Sequence, residues 1–196
     1  VRDEVLDMPV THDMGYCLSI RGLAREASQA LDVVFTDPLT LATPAARADG
    51  HPVRLADDGC PLFVALTVEG FDPAAPTPAW MATRLAASGM RSISLHVDIS
   101  NYVMLETGQP NHCYDADALR GAIVVRRAAP GERLTTLDDV DRALDVEDLV
   151  IADDCGPIGL AGVMGGQSTE LGPTTTRIVI EAAHFDPVAI ARTARR

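Results

Sequence analysis

The sequence predicts an α+β fold, and two observations support that class. Apolar residues at helical spacing mark three helices before residue 107, whereas short alternating strand patterns dominate from 122 to 183. The turns between those strands are rich in Asp and Gly, as at 138–139 and 153–156. Helices and strands therefore segregate along the chain, which favours α+β over a doubly wound parallel sheet.

The first half predicts two helices and three strands. Residues 4–11 alternate in polarity and lead into a helix start at 11–13. Gly89 suits the left-handed turn that ends a helix. In chain order, the predicted elements are a strand at 4–11, a helix at 18–31, strands at 52–56 and 61–69 joined by a turn at 57–59, and a helix at 79–88.

The second half predicts a run of strands between two helices. Gly108-Gln109-Pro110 ends the first of these helices, because the residue before a proline avoids helical geometry. The segment after Pro110 is predicted to be a loop that carries His112. Asp186 and Pro187 suit the start of the last helix. The predicted elements are a helix at 98–106, strands at 122–127, 132–137, 143–145, 149–153, 157–164 and 177–183, and a helix at 187–191.

Composition narrows the function classes. The chain has 196 residues and a formal net charge of −12, and all of its 16 basic residues are arginine. Such an acidic surface repels polyphosphate, which argues against binding duplex nucleic acid over a broad face. The chain could still bind the last nucleotides of an RNA whose body is held elsewhere. No run of apolar residues is long enough for a membrane span, and the acidic start is unlike a signal peptide. We therefore expect a cytoplasmic location.

The four cysteines predict reduced thiols and no metal site. They stand at positions 17, 60, 113 and 155, without a C-x-x-C pair. Cys113 follows His112 directly, so a nucleophile and base are conceivable there. Adjacent residues usually point apart on a strand or loop, however, and this weakens that alternative.

Two further features leave alternatives open. Gly162, Gly165 and Gly166 follow an apolar strand without the lysine of a phosphate loop. Either they form a tight turn or bulge, or the missing side chains at Ala161 and Gly162 leave room for a ligand ring. Glu181 ends the apolar run of 177–180, where a carboxylate needs a partner. That partner is either a structural group such as an arginine or the hydroxyl of a ligand. His112 is either a local hydrogen-bonding residue or a catalytic one.

Several motifs together resemble a known family. These motifs are Val97-Asp98-Ile99-Ser100-Asn101-Tyr102, Gly108-Gln109-Pro110, Leu160-Ala161-Gly162-Val163-Met164-Gly165-Gly166 and Glu181-Ala182-Ala183-His184-Phe185-Asp186-Pro187. In this order they resemble the editing domain of the β subunit of bacterial phenylalanyl-tRNA synthetase. The resemblance covers 1–196, weakly over 1–90 and strongly over 91–196, and it implies a three-layer β/β/α domain with mostly antiparallel or mixed sheets, truncated at its C-terminus.

The resemblance implies a role for each of five residues. The family's editing domain hydrolyses tyrosine that has been wrongly esterified to phenylalanine tRNA. By resemblance, His112 and Ser100 are the catalytic residues, and Ala161 and Gly162 form a wall of small residues. Glu181 is the carboxylate that accepts the tyrosine hydroxyl.

The resemblance also implies partners and cofactors. The site would take the 3′ end of aminoacylated phenylalanine tRNA, and the rest of the β subunit and an α subunit would complete an α2β2 ligase. ATP and Mg²⁺ would serve aminoacylation in the whole enzyme, with no cofactor in this domain. The alternatives are a non-catalytic structural or aromatic-amino-acid-binding module and, less favoured by the charge, a freestanding hydrolase.

The sequence departs from the family pattern at three positions in or beside the matched motifs. Ser100 replaces the usual threonine, and Cys113-Tyr114 replaces the common Ala-Phe. We expect these changes to be mild.

Overall fold

A computed structural model describes residues 4–40, 45 and 49–196. The chain divides into two compact units. The first comprises Val1–Ala45 and Ala74–Asn111, and the second comprises Ala46–Pro73 and His112–Arg196. None of the described helices is long and apolar enough to cross a membrane.

The first unit is helical throughout its regular structure. The hydroxyl of Ser19 accepts a hydrogen bond from the Gly22 N–H, which caps the first α-helix in the way expected of a serine at that position. Gly108 has a φ of 80° and ends the third α-helix in the left-handed conformation. The elements are a 3-10 helix at His12–Leu18, α1 at Ile20–Ala30, α2 at Ala79–Ala87 and α3 at Leu95–Thr107.

A buried carboxylate fixes the segments that precede α2 and α3. Asp98 is fully buried on α3 and accepts hydrogen bonds from the hydroxyls of Thr77 and Ser92. It also accepts one from the Ile93 N–H at 2.9 Å. Together these hydrogen bonds hold the pKa of Asp98 below its usual value, although burial acts in the opposite direction.

The single tryptophan lies on the second helix, and its side chain contacts the third. The rings of Trp80 on α2 and Tyr102 on α3 meet edge to face, with their centroids 5.2 Å apart. The guanidinium of Arg84 lies 5.3 Å from the centre of the Trp80 ring. This aromatic contact joins α2 to α3.

The second unit contains three sheets. The first is five-stranded in the order β1-β4-β7-β8-β9, with β1 parallel to β4 and the other neighbours antiparallel. The second is β2-β10-β3, and the third is the hairpin β5-β6; both are antiparallel. The strands are β1 Val53–Leu55, β2 Leu62–Glu69, β3 His112–Asp115, β4 Ile123–Arg127, β5 Arg133–Thr135, β6 Asp141–Ala143, β7 Leu149–Asp153, β8 Gly156–Leu160, β9 Met164–Gly165 and β10 Arg177–His184.

The five-stranded and three-stranded sheets share one core. Ile123 on β4 and Ile151 on β7 belong to the same buried cluster as Tyr114 on β3 and Val179 on β10. The inner faces of the two sheets therefore pack together. A last helix, α4 at Pro187–Thr193, begins where the Asp186 carboxylate accepts a hydrogen bond from the Ala189 N–H. The α+β class with mixed and antiparallel sheets is confirmed.

Most of the predicted elements are confirmed, and five predictions need correction. Residues 4–11 form no strand, and 4–9 are exposed there. Within the described ranges no strand of the three sheets pairs with this segment. The predicted strand at 157–164 is two strands, because Gly162, with a φ of 64°, turns the chain between β8 and β9. The hairpin strand predicted at 143–145 lies two residues earlier.

The fourth correction concerns the candidate site. The segment after Pro110 is not a loop, since β3 begins at His112 and pairs with β10. The preceding helix also starts earlier than predicted, at Leu95.

Candidate functional site

Two antiparallel strands bring His112 and Glu181 together. In the ladder between β3 and β10, Glu181 is the direct partner of His112, and Val179 is the partner of Tyr114. Alternate residues of a strand point to the same face, so His112, Tyr114 and Glu181 lie on one face of the sheet. This is the face that packs against the five-stranded sheet, since Tyr114 and Val179 belong to the shared core.

Glu181 is a buried carboxylate whose hydrogen-bond partner is a phenol. Its side chain is 6% exposed, that of Tyr114 is 1% exposed, and the Tyr114 hydroxyl donates to Oε2 of Glu181. Burial raises the pKa of Glu181 to about 7, and the hydrogen bond from Tyr114 opposes that rise. No cation contributes to this pKa within the described ranges. The arginine partner that the sequence left open is therefore not the group that satisfies Glu181.

Tyr114 remains a hydrogen-bond donor at any physiological pH. Burial raises its pKa well above the ordinary value, and the charge of Glu181 and the hydrogen bond to it act in the same direction. From the family pattern, the replacement of phenylalanine by Tyr114 is expected to be a mild change. Nothing local in the sequence identified its contact with Glu181, because the pairing of distant strands creates it.

The ring of His112 lies between Tyr114 and a glycine. The two rings meet edge to face at 83°, with their centroids 4.7 Å apart. A Cβ at Gly165 on β9 would stand 2.6 Å from Cε1 and 2.8 Å from Nε2 of His112. Gly165 therefore leaves the room that the imidazole occupies, a function that the sequence assigned to no single glycine of the 162–166 segment.

Ala161 and Gly162 lie in the turn between β8 and β9. Ala161 is fully buried in the core cluster, and its N–H donates to the Leu149 carbonyl at 3.0 Å. Gly162 is exposed, and a Cβ there would stand 3.3 Å from Phe185 and 3.4 Å from Ile190. The small residues therefore give close packing against the segment that follows β10.

Ser100 belongs to the first unit. It lies on α3, and its hydroxyl donates to the carbonyl of Asn111 at 2.8 Å. Asn111 directly precedes His112 in the chain, so Ser100 fixes the backbone at the residue before the histidine. The four other predicted site residues, His112, Ala161, Gly162 and Glu181, all belong to the second unit.

The thiol of Cys113 is unsuited to nucleophilic attack. Burial, and then the charge of Glu181, raise its pKa to about 11, so the thiol stays protonated. Its partner in the ladder is Ile180, and it points away from the face that carries His112. Across the described ranges, no group of three or more His, Cys, Asp or Glu side chains is placed to hold a metal ion.

Comparison with known proteins identifies the family. The family model described as the B3/4 domain matches residues 59–196, so the chain belongs to the B3/4 domain family. The resemblance drawn from the motifs is confirmed by relatives that are phenylalanine–tRNA ligase beta subunits.

Two of these relatives are close in sequence. The chain is 61% identical to the Streptomyces avermitilis subunit over 99% of its own length, and 58% identical to the Thermobifida fusca subunit over 100%. It spans about a quarter of the length of each, 24% in both cases.

One solved structure shares the fold. It is the crystal structure of an N-terminal fragment of the phenylalanyl-tRNA synthetase β subunit from Pyrococcus horikoshii. The TM-score is 0.50 at 14% identity, and the match covers 99% of this chain and 64% of that one.

Proposed function

We propose that this chain is the editing domain of a phenylalanine–tRNA ligase β subunit and that it hydrolyses tyrosine misattached to phenylalanine tRNA. The observation that carries the proposal is the buried carboxylate of Glu181, which already accepts a hydrogen bond from a phenol. A group with this environment is matched to the hydroxyl that distinguishes tyrosine from phenylalanine. The family and its relatives support the same assignment.

Discrimination would come from the cost of leaving a buried polar group unpaired. A site that hydrogen-bonds a substrate hydroxyl rejects the analogue without it by up to about 10⁴-fold, because phenylalanine offers Glu181 no donor. Tyrosyl esters would then be cleaved, and correct phenylalanyl esters would be spared. Ala161 and Gly162, which carry little or no side chain, would form the wall of the amino-acid pocket.

The reaction needs no covalent intermediate. Water adds to the ester carbonyl, the bond between that carbon and the ribose oxygen breaks, and the ribose oxygen takes a proton, which yields tyrosine and intact tRNA. His112 would position the water or the terminal adenosine, and Ser100 would support it through the backbone at Asn111. The Cys113 thiol would take no part, because it stays protonated.

The relatives support a larger assembly around this domain. The 3′ end of the tRNA would enter this site, while the remainder of the β subunit and the α subunit would hold the tRNA body, which a chain of net charge −12 does not attract. Aminoacylation would use ATP and Mg²⁺ elsewhere in a cytoplasmic α2β2 enzyme.

The test is ester hydrolysis by the full-length β subunit assembled with its α subunit. We expect tyrosyl-tRNA to be cleaved far faster than phenylalanyl-tRNA. Glu181→Gln should lower the tyrosyl rate about 10- to 100-fold, the range expected for a hydrogen bond to a charged group. Glu69→Gln is the matched control, because Glu69 is an exposed glutamate on β2 of the same sheet. His112→Ala with an unchanged tyrosyl rate would remove the histidine from the reaction.

A non-catalytic module that binds an aromatic amino acid is the alternative. The observation that favours it is that the hydroxyl of Ser100, one of the two predicted catalytic residues, donates to the Asn111 carbonyl. Calorimetry with tyrosine and phenylalanine, run beside the hydrolysis assay, separates the two functions. Selective tyrosine binding without hydrolysis would favour the module, and equal binding of both amino acids would rule out recognition of the hydroxyl.

A further inference from the structure

The phenol of Tyr114 makes two contacts with the proposed site. Its hydroxyl donates to Oε2 of Glu181, and its ring receives the edge-to-face contact of His112 at 4.7 Å. Both Tyr114 and Glu181 are buried, so solvent does not compete for their hydrogen bond. Tyr114 therefore touches both side chains on which the proposed function depends.

The carboxylate retains an acceptor after this contact. An ionised carboxylate has two oxygens and about four lone-pair sites, and Tyr114 uses one of these sites. The second oxygen, Oε1, receives no hydrogen bond from the residues that the structure describes. One bound phenol therefore leaves an oxygen for another donor of the same kind.

We infer that Tyr114 is a positioning residue that determines specificity: its hydroxyl holds Oε2 of Glu181, so that Oε1 is presented to the hydroxyl of the ligand. The inference rests on the proposed function, and it assigns to Tyr114 a role beyond packing. A phenylalanine at this position would fill the same space but would not donate a hydrogen bond to Oε2 of Glu181.

Tyr114 also favours the charged form of Glu181. Its hydrogen bond lowers a pKa that burial raises to about 7, so loss of the hydroxyl shifts the carboxyl further toward its neutral form. Among the described groups, the Tyr114 hydrogen bond is the one cause that lowers the pKa of Glu181. Cys60 and Cys113 are protonated thiols, His112 lies opposite on β3, and the facing sheet contributes apolar side chains. These apolar residues are Ile123, Val125, Leu149, Ile151 and Ile158.

The experiment compares Tyr114→Phe with the parent protein in the assembled full-length enzyme. Hydrolysis of tyrosyl- and phenylalanyl-tRNA is followed from pH 6 to 8.5, with the spontaneous rate subtracted. The unheld carboxylate should lower the tyrosine preference of the variant at every pH, and a further fall of about fivefold at pH 7 should disappear by pH 8.5, where the carboxylate is charged in both proteins. This corresponds to a midpoint about one pH unit higher, the size expected when a carboxylate loses one hydrogen bond.

Two control variants test whether the change in the pH profile is specific to the contact between Tyr114 and Glu181. Tyr16→Phe removes the same atom from an exposed pair with Glu26 in the first unit, and it should leave the profile unchanged. In Glu181→Gln, addition of Tyr114→Phe should have no pH-dependent effect, because no carboxyl remains to titrate. A loss of activity through general damage to the fold would not recover at high pH.

Each outcome decides between stated alternatives. A tyrosine preference that rises in Tyr114→Phe would overturn the inference alone, since the phenol would then compete with the ligand. An unchanged pH profile would overturn it as well. A parent enzyme without any tyrosine preference would overturn the proposed function and the inference together.

Discussion

Replacement of Glu181 by glutamine should make the protein more stable at neutral and alkaline pH. Glutamine keeps an acceptor for the Tyr114 hydroxyl but cannot ionise. In the folded protein, burial raises the pKa of Glu181 from 4.5 to about 7. The carboxyl therefore ionises more readily in the unfolded chain, and this opposes folding increasingly between pH 4.5 and pH 7. A raised pKa in the folded state means that the contribution to stability is complete below pH 4.5 and is lost as the pH rises through 7.

The size of the effect follows from the same two values. The interval between 4.5 and about 7 corresponds to about 3 kcal/mol, because one pKa unit is worth about 1.4 kcal/mol. The group is almost completely buried, so screening by solvent does not reduce this figure appreciably. The free energy of unfolding of Glu181→Gln, minus that of the parent, should therefore increase by about 3 kcal/mol between pH 4.5 and pH 8.

Urea unfolding at four pH values between 4.5 and 8, and also at pH 3 for the control variant described below, measures this difference by circular dichroism. For a slope of about 2 kcal/mol/M, the midpoints of the two proteins should separate by about 1.5 M urea across the range. Glu132→Gln provides a control of opposite sign. The Arg126 guanidinium hydrogen-bonds Glu132 at 2.7 and 2.8 Å and holds the pKa of that carboxyl below its usual value.

Glu132→Gln should be less stable than the parent above pH 4.5. This difference in the free energy of unfolding should disappear as the pH falls through the lowered pKa of Glu132. A difference between Glu181→Gln and the parent that stays constant from pH 4.5 to pH 8 would refute the reasoning. It would mean that the carboxyl titrates normally in the folded protein and that its burial has no electrostatic cost.

Three further predictions concern other positions. Gly165→Ala should displace the His112 ring, because its Cβ would stand 2.6 Å from Cε1; tyrosyl-ester hydrolysis should fall at least tenfold, while thermal unfolding shows a loss of only about 1 kcal/mol. Asp98→Asn should destabilise the first unit by about 1 to 3 kcal/mol in chemical unfolding, since the amide cannot accept every hydrogen bond that the carboxylate accepts. Iodoacetamide at pH 8, read by mass spectrometry, should modify the exposed Cys155 and spare Cys113, whose pKa is about 11.

The sequence predicted elements well where local chemistry decides them. The strand at 149–153 has the predicted bounds, because a run of apolar residues is closed by Asp153 at the turn. The last helix begins as predicted at Pro187 with Asp186 as its cap. In both cases the signal lies within a few residues, so tertiary contacts do not override it.

The sequence failed where partners distant in the chain decide the structure. The break at Pro110 predicts a loop at His112, two residues further on, yet strand β10 pairs with this segment and places Glu181 opposite His112. Residues 4–11 alternate like a strand but join none of the sheets that the structure describes. The contact of Tyr114 with Glu181 depends on this same register, so no local pattern revealed it.

The position of the single tryptophan gives each unit its own optical signal. Trp80 belongs to the first unit, where it lies against Tyr102 and Arg84. Its fluorescence therefore follows the melting of the helices, whereas far-ultraviolet ellipticity also records the ten strands described in the second unit. Overlaid fluorescence and ellipticity curves reveal whether the helical unit and the sheets unfold as one cooperative block or in two steps.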